Sequence, residues 1–153
     1  MTLPEHEPAS AVRGLADPEG HVRLVTRNLS LAAEGQTSLA PGAKHPSALD
    51  LMIAALVADL LAGLAREAAR DGIIVYDAEL NVSAYLDNPL VALGVVGETG
   101  TPALSSVHGS LYVSCEAGAE TLAALWQRVL GRAPVFATLE RCADVCIELK
   151  LVS

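Results

Sequence analysis

A single carboxylate, Asp59, stands in the middle of the stretch Ser47 to Arg70, SALDLMIAALVADLLAGLAREAAR, which as a helix is apolar on nearly every side. A helix of that kind is buried in a large core, a subunit interface or a bilayer, and an unpaired carboxylate there is costly. The neighbours of Asp59 one turn away are Ala55, Leu56, Ala62 and Gly63, so its face is small-sided and can line a cavity or press against another helix. Two kinds of chemistry are open to such a group, proton transfer and the anchoring of a ligand. The structural alternative is a buried ion pair or a hydrated carboxylate with no chemical role.

The three cysteines, Cys115, Cys142 and Cys146, are the other candidates, because a thiolate can carry redox chemistry. Cys142 and Cys146 are four residues apart, but a boundary between a helix and a strand is expected between them. Along a strand they would exceed the Cα separation of about 4.4 to 6.8 Å that a disulfide allows. Cys115 lies on the apolar side of its strand and reads as a small core residue. A redox pair of Cys115 with Cys146 on an adjacent strand is the thiol alternative. His6, His21, His45 and His108 are scattered, with no Cys at ligand spacing, so no metal site is expected. His108 alternates with Ser106, Ser110 and Tyr112, the pattern of a solvated strand face. With no phosphate-cradling Gly pattern and no Gly-x-Ser-x-Gly elbow, no cofactor is expected.

The elements that must position these residues follow from the pattern. Residues 1–8 carry Pro4 and Pro8 and read as a flexible lead-in, and residues 9–153 as a single domain. Short strands are expected over 11–16, 21–27 and 29–33, with the turn Asp17-Pro18-Glu19-Gly20 after the first. Gly35, Pro41, Gly42 and Pro46 make a loop that leads into the helix. Ser47 is its N-cap, with Asp50 in the place of a capping-box Glu, and Gly72 its C-terminal cap. From 74 to 86 the period is two, with Tyr76, Ala78, Leu80, Val82, Ala84 and Leu86 inward and Asp77, Glu79, Asn81 and Ser83 outward. A long connection over 87–103 precedes a strand over 104–115. A helix over 119–130 then shows the stripe Leu122, Leu125, Trp126 and Val129. Gly131 stops it, Pro134 opens a short helix reaching about residue 141, and a half-buried strand spans 144–152.

Composition bounds the function. The chain has 153 residues, 52% hydrophobic but only 3% aromatic, so its core is built from Ala, Val, Leu and Ile. The net charge of −8, without a Lys or Arg cluster along the sequence, argues against nucleic acid. MTLPEHEPAS offers neither a basic region nor an apolar run, so no secretory signal is expected. The long helix carries Asp50 and Asp59, which argues against a membrane span. An odd number of cysteines without framework spacing fits a reducing compartment, and a cytoplasmic protein is expected. One subunit offers too little sheet to enclose the greasy helix, so an obligate homodimer is expected in which sheet from both chains covers two central helices.

Three local patterns resemble the OsmC/Ohr family of thiol-dependent hydroperoxide reductases. Pro46 to Gly72 is similar to the family's Pro-x-Glu-Leu-Leu, small residues, Cys, apolar helix, Gly. Tyr76 to Leu86 is like its long strand. Arg132-Ala133-Pro134-Val135-Phe136-Ala137-Thr138-Leu139 looks like its Cys-Pro-Val-x-x-Thr-Leu. Thr26-Arg27-Asn28 and the loop up to Pro46 resemble the OsmC-like branch. The resemblance spans about residues 20 to 152 and implies an α+β, OsmC-like β(3)-α-β(2)-α(2)-β subunit in an intertwined dimer. With Asp50-Leu51 set on the family's Glu-Leu, Asp59 occupies the position of the reactive Cys and Ala133 that of the resolving Cys. Leu49 stands at the family acid that pairs with the active-site Arg. A carboxylate cannot be oxidised and re-reduced as a thiol is, and alanine resolves nothing. The resemblance also implies that an Arg of the N-terminal region, Arg23 or Arg27 of the other subunit, reaches Asp59. The expectation is an OsmC-like homodimer with a degenerate active site, binding a small apolar ligand or serving a structural role. Its pocket would be lined by Asp59, Leu49, Ala133, Pro134, Phe136 and Arg27. The alternatives are an organic hydroperoxide reductase of the oxidative stress response using Cys115, Cys142 or Cys146, or a non-redox enzyme using Asp59.

Overall fold

The computed structural model describes residues 10–37 and 42–152; the expected lead-in over 1–8 lies outside them. The chain falls into two compact units, one reaching to Leu51 and one running from Met52 on.

The first unit is an antiparallel meander of β1 (Arg13–Ala16), β2 (His21–Thr26) and β3 (Leu29–Glu34). Its first turn closes because the Asp17 carboxylate accepts the His21 amide at 2.9 Å while Gly20 takes a φ of 89°. Thr26 pairs with Leu29, leaving Arg27 and Asn28 as the connection. The strand expected over 21–27 therefore stops one residue early, since Arg27 turns the chain at a φ of 49°. That left-handed conformation is unfavourable for a residue with a Cβ. Helix α1 (Ala48–Asp71) begins in this unit with the expected box. Ser47 donates its amide and its hydroxyl to Asp50 Oδ2, at 2.9 and 2.8 Å, and the Asp50 amide returns a bond to Ser47 Oγ at 3.1 Å.

In the second unit α1 ends at Gly72, whose φ of 68° lets the Ile73 amide reach back to the Ala68 carbonyl at 2.9 Å. The chain then forms an antiparallel pair, β4 (Val75–Leu86) with β5 (Leu104–Cys115). The segment between them, expected as a long hairpin connection, holds the one-turn helix α2 (Pro89–Ala92). Asn88 caps it by accepting the Leu90 amide at 3.0 Å. Helices α3 (Ala119–Leu130) and α4 (Pro134–Leu139) then carry the chain across to β6 (Asp144–Leu151), which lies parallel to β5. A parallel neighbour requires such a crossover. The architecture is α+β, as expected.

One face of this sheet is covered by helices. Leu56, Leu60 and Leu64 of α1, Val107, Leu111 and Val113 of β5, the four stripe residues of α3, and Phe136 and Leu139 of α4 form a single buried cluster. Tyr76 is a correction. It was expected inward with Ala78 and Leu80, but two residues of β4 stand against one of β5 between Val75 and Asp77, and this bulge leaves Tyr76 66% exposed. Helix α1 is long and apolar enough to cross a membrane by length and composition, and only 22% of its most apolar window is buried within the chain. Met52, Ala55, Ala58, Ala62 and Ala65 all stand exposed along it.

Gly109 on β5 marks the closest approach. A Cβ there would lie 2.7 Å from the Asn81 carbonyl oxygen and 2.9 Å from Ile147 Cδ1. The Ile147 methyl can swing aside but the Asn81 carbonyl belongs to the paired backbone of β4 and cannot, so Gly109→Ala should cost about 1 to 3 kcal/mol of stability in denaturant titration.

Candidate functional site

Helix α4 starts with a deficit. Its N-cap residue, Ala133, has extended backbone angles but no side-chain acceptor, and Pro134 at the first helical position has no N–H to satisfy. The amides of Val135 and Phe136 are therefore the orphan donors of the first turn, since the Ala137 amide already reaches the Ala133 carbonyl at 2.9 Å. Asp59 of α1 supplies what Ala133 cannot. Its Oδ2 accepts from Val135 N at 2.8 Å and from Phe136 N at 3.2 Å. A negative group at a helix N-terminus also suits the helix dipole. Asp59 is thus half-buried rather than sealed, and it acts as a capping residue delivered from another helix.

The candidate residues are divided between the two units. Asp59, Ala133, Pro134 and Phe136 meet in the second, where Ala133 and Phe136 are buried. Leu49 and Arg27 belong to the first. Leu49 is half-buried at the start of α1 with its amide on the Gln36 carbonyl, and Arg27 is exposed at its hairpin tip. As an acceptor of two N–H groups, the Asp59 carboxylate is held by structure, and this partnership was not foreseen.

All three cysteines are free. Cys115 is half-buried, with Sγ 3.6 Å from the Ala117 carbonyl oxygen. Cys142 and Cys146 are exposed, and Cys142 Sγ lies 3.3 Å from the Leu139 carbonyl oxygen. Within one chain, a redox pair of Cys115 with Cys146 is ruled out by register. Cys146 stands beside His108, seven residues along β5 from Cys115, roughly 23 Å at strand spacing. His108 lies on the wet face as expected, edge-on to the Tyr85 ring at 6.0 Å between centroids. In the first unit Asp17, Glu19 and His21 bring ligand-type atoms within 4.8 Å of one another. All three are exposed, and Asp17 and His21 bond each other at 3.0 Å.

A second carboxylate of α1 escaped the sequence reading. Glu67, with its side chain 2% exposed, is ringed by Arg132 at 2.7 Å, Arg70 at 3.2 Å, Arg66 at 3.5 Å and Arg128 at 3.8 Å. The signal was available, because Glu67 falls on the same buried stripe as Leu56, Leu60, Leu64 and Ala68. The hydrogen bond from Arg132 is the largest influence on its protonation. With the charges of Arg132 and Arg70 it outweighs desolvation and holds the carboxyl below its ordinary value.

Asp59→Ala should lose about 1 to 3 kcal/mol, the cost of leaving two N–H groups without an acceptor. Asp59→Asn, which keeps one carbonyl oxygen, should lose less, and urea denaturation of both proteins would check the order. For Glu67 the folded-state pKa lies below that of the unfolded chain. Its stabilising contribution is therefore complete above about pH 4.5 and disappears as the pH falls through the lower folded value. Glu67→Gln should flatten the acid limb of a stability profile measured from pH 7 to 3.

No protein-family profile matches the sequence, and no curated protein matches it. Solved structures match its fold over nearly the whole chain. An OsmC-like protein from Mycoplasma pneumoniae superposes with a TM-score of 0.80 at 15% identity, covering 96% of this chain and 99% of that one. The organic hydroperoxide resistance protein OhrB of Bacillus subtilis gives 0.62 at 17% identity, over 93% and 98%. An organic hydroperoxide resistance protein OsmC from Legionella pneumophila gives 0.65 at 14%, over 94% and 97%.

Proposed function

Since the chain has the OsmC-like fold, we propose that it is a cytoplasmic homodimer that keeps this fold without thiol peroxidase chemistry, to bind a small apolar ligand or to serve a structural role. The observation that carries the reading is the engagement of Asp59. A peroxidase needs a thiolate that attacks the O–O bond and a second thiol that closes a disulfide. Next to the first turn of α4 this chain has a carboxylate bonded to two backbone amides, and beside it Ala133. The exposed apolar side of α1 supports a helix-to-helix dimer contact, because Ala residues let two backbones approach closely and an uncovered patch of this kind favours association. Free, exposed thiols agree with a reducing compartment.

A thiol-based reading keeps one observation in its favour, the exposure of Cys142 and Cys146. Steady-state consumption of an organic hydroperoxide with dithiol or lipoyl-type reductants separates the two. The wild-type protein should turn over no faster than a protein with Cys115, Cys142 and Cys146 changed to Ser. Cysteine-dependent turnover would overturn the proposal. Sedimentation equilibrium should return twice the 15.8 kDa chain mass, and Ala62→Glu on the exposed side of α1 should shift it towards monomer.

A further inference from the structure

Four of the ten basic residues in this acidic chain converge on one point. Arg66 and Arg70 approach from the last turns of α1, Arg128 from the end of α3 and Arg132 from the turn before α4, all within 4 Å of Glu67. Among the described residues, the other carboxylate in contact with them is Asp71, which pairs with Arg128. Four cations against two anions leave an excess of positive charge. The anion at the centre is sealed, whereas the four arginine side chains are 39% to 58% exposed. Roughly twenty guanidinium N–H donors meet only four carboxylate oxygens in the cluster, so the carboxylates can occupy only a minority of them.

We propose that this cluster is a binding site for a phosphate group. Guanidinium forks match the oxygens of a tetrahedral oxyanion in pairs, and the excess charge suits a dianion. Glu67 contributes by pinning the arginines from below, so less side-chain freedom is lost when an anion arrives. The net charge of −8 selects a compact ligand. An extended polyanion or an acidic protein face would meet the acidic remainder of the chain, while a single phosphate stays within one Debye length, about 8 Å, of the cluster. The group is inorganic phosphate or the phosphomonoester of a small molecule.

The experiment is a titration of the full chain with inorganic phosphate, and separately with phenyl phosphate, at pH 8 and constant ionic strength balanced with sodium chloride. It is read on the arginine Nε–Hε resonances. Saturable shifts at Arg66, Arg70, Arg128 and Arg132, absent at Arg13, Arg23, Arg27 and Arg141, are expected. Tighter binding of phenyl phosphate would identify an organic phosphomonoester, and equal binding would identify the inorganic ion. The double variant Arg66→Gln/Arg70→Gln leaves Arg132 on Glu67 and should weaken binding about tenfold. Non-saturable shifts, shifts spread over all the arginines, or an affinity unchanged in a double variant with an unaltered far-ultraviolet spectrum would overturn the proposal.

Discussion

A helix that begins Ala-Pro has no side chain of its own to receive its first amides, and the position of α4 therefore depends on an acceptor brought from elsewhere. Asp59 provides it from the middle of α1, at 2.8 and 3.2 Å. The same bonds that satisfy α4 also explain why an acidic residue is tolerated in so apolar a helix. Each partner removes the cost of the other, since a buried amide without an acceptor and a carboxylate without a donor would both be unfavourable. Where α4 sits determines where the chain turns into β6, so the edge of the sheet inherits its placement from this contact.

Glu67 repeats the arrangement two turns further along α1, about 12 Å away. It too reaches the segment that enters α4, but through the Arg132 side chain rather than the backbone. Two carboxylates of one helix thus grip residues 132 to 136 from neighbouring points. The interactions differ in kind. The Asp59 contact is made to neutral amides, whereas the Glu67 contact is a charge network whose arginines remain half in water and can still receive an anion from outside.

How much of this could be read from the sequence depended on whether the cause was local. The Ser47 and Asp50 box, the Gly72 cap, the stripe Leu122, Leu125, Trp126 and Val129, and the alternation along β5 and β6 all involve residues within a few positions of one another. Each appears as expected except at the end of β6, where Leu151 stands exposed. The bulge at Tyr76 could not be read because it arises from pairing with β5, and one inserted residue moves a side chain to the opposite face. Helix α2 was missed although Asn88-Pro89 is a capping signal, because one turn is too short to show periodicity. The partner of Asp59 is 76 positions away along the chain. Spacing within α1 marked the residue as unusual but held no information about what it would touch. Glu67 could be placed on the buried stripe of α1, but its closest partner, Arg132, is 65 positions away along the chain.

The parallel pairing of β5 with β6 bears on the order in which the second unit can assemble. The β4 and β5 strands meet across the connection 87–103, so their innermost pair, Leu86 with Leu104, closes the shortest loop of the sheet. Ser106 and Asp144, by contrast, are paired although roughly 40 residues apart, with two helices between them. The entropy of closing that loop is repaid only once α3 and α4 have packed. A sheet completed by a non-local strand folds more slowly than a meander of the same size. Until β6 docks, β5 exposes an unpaired edge to other chains. By seating α4, the Asp59 bonds hold the end of the crossover that brings β6 onto that edge.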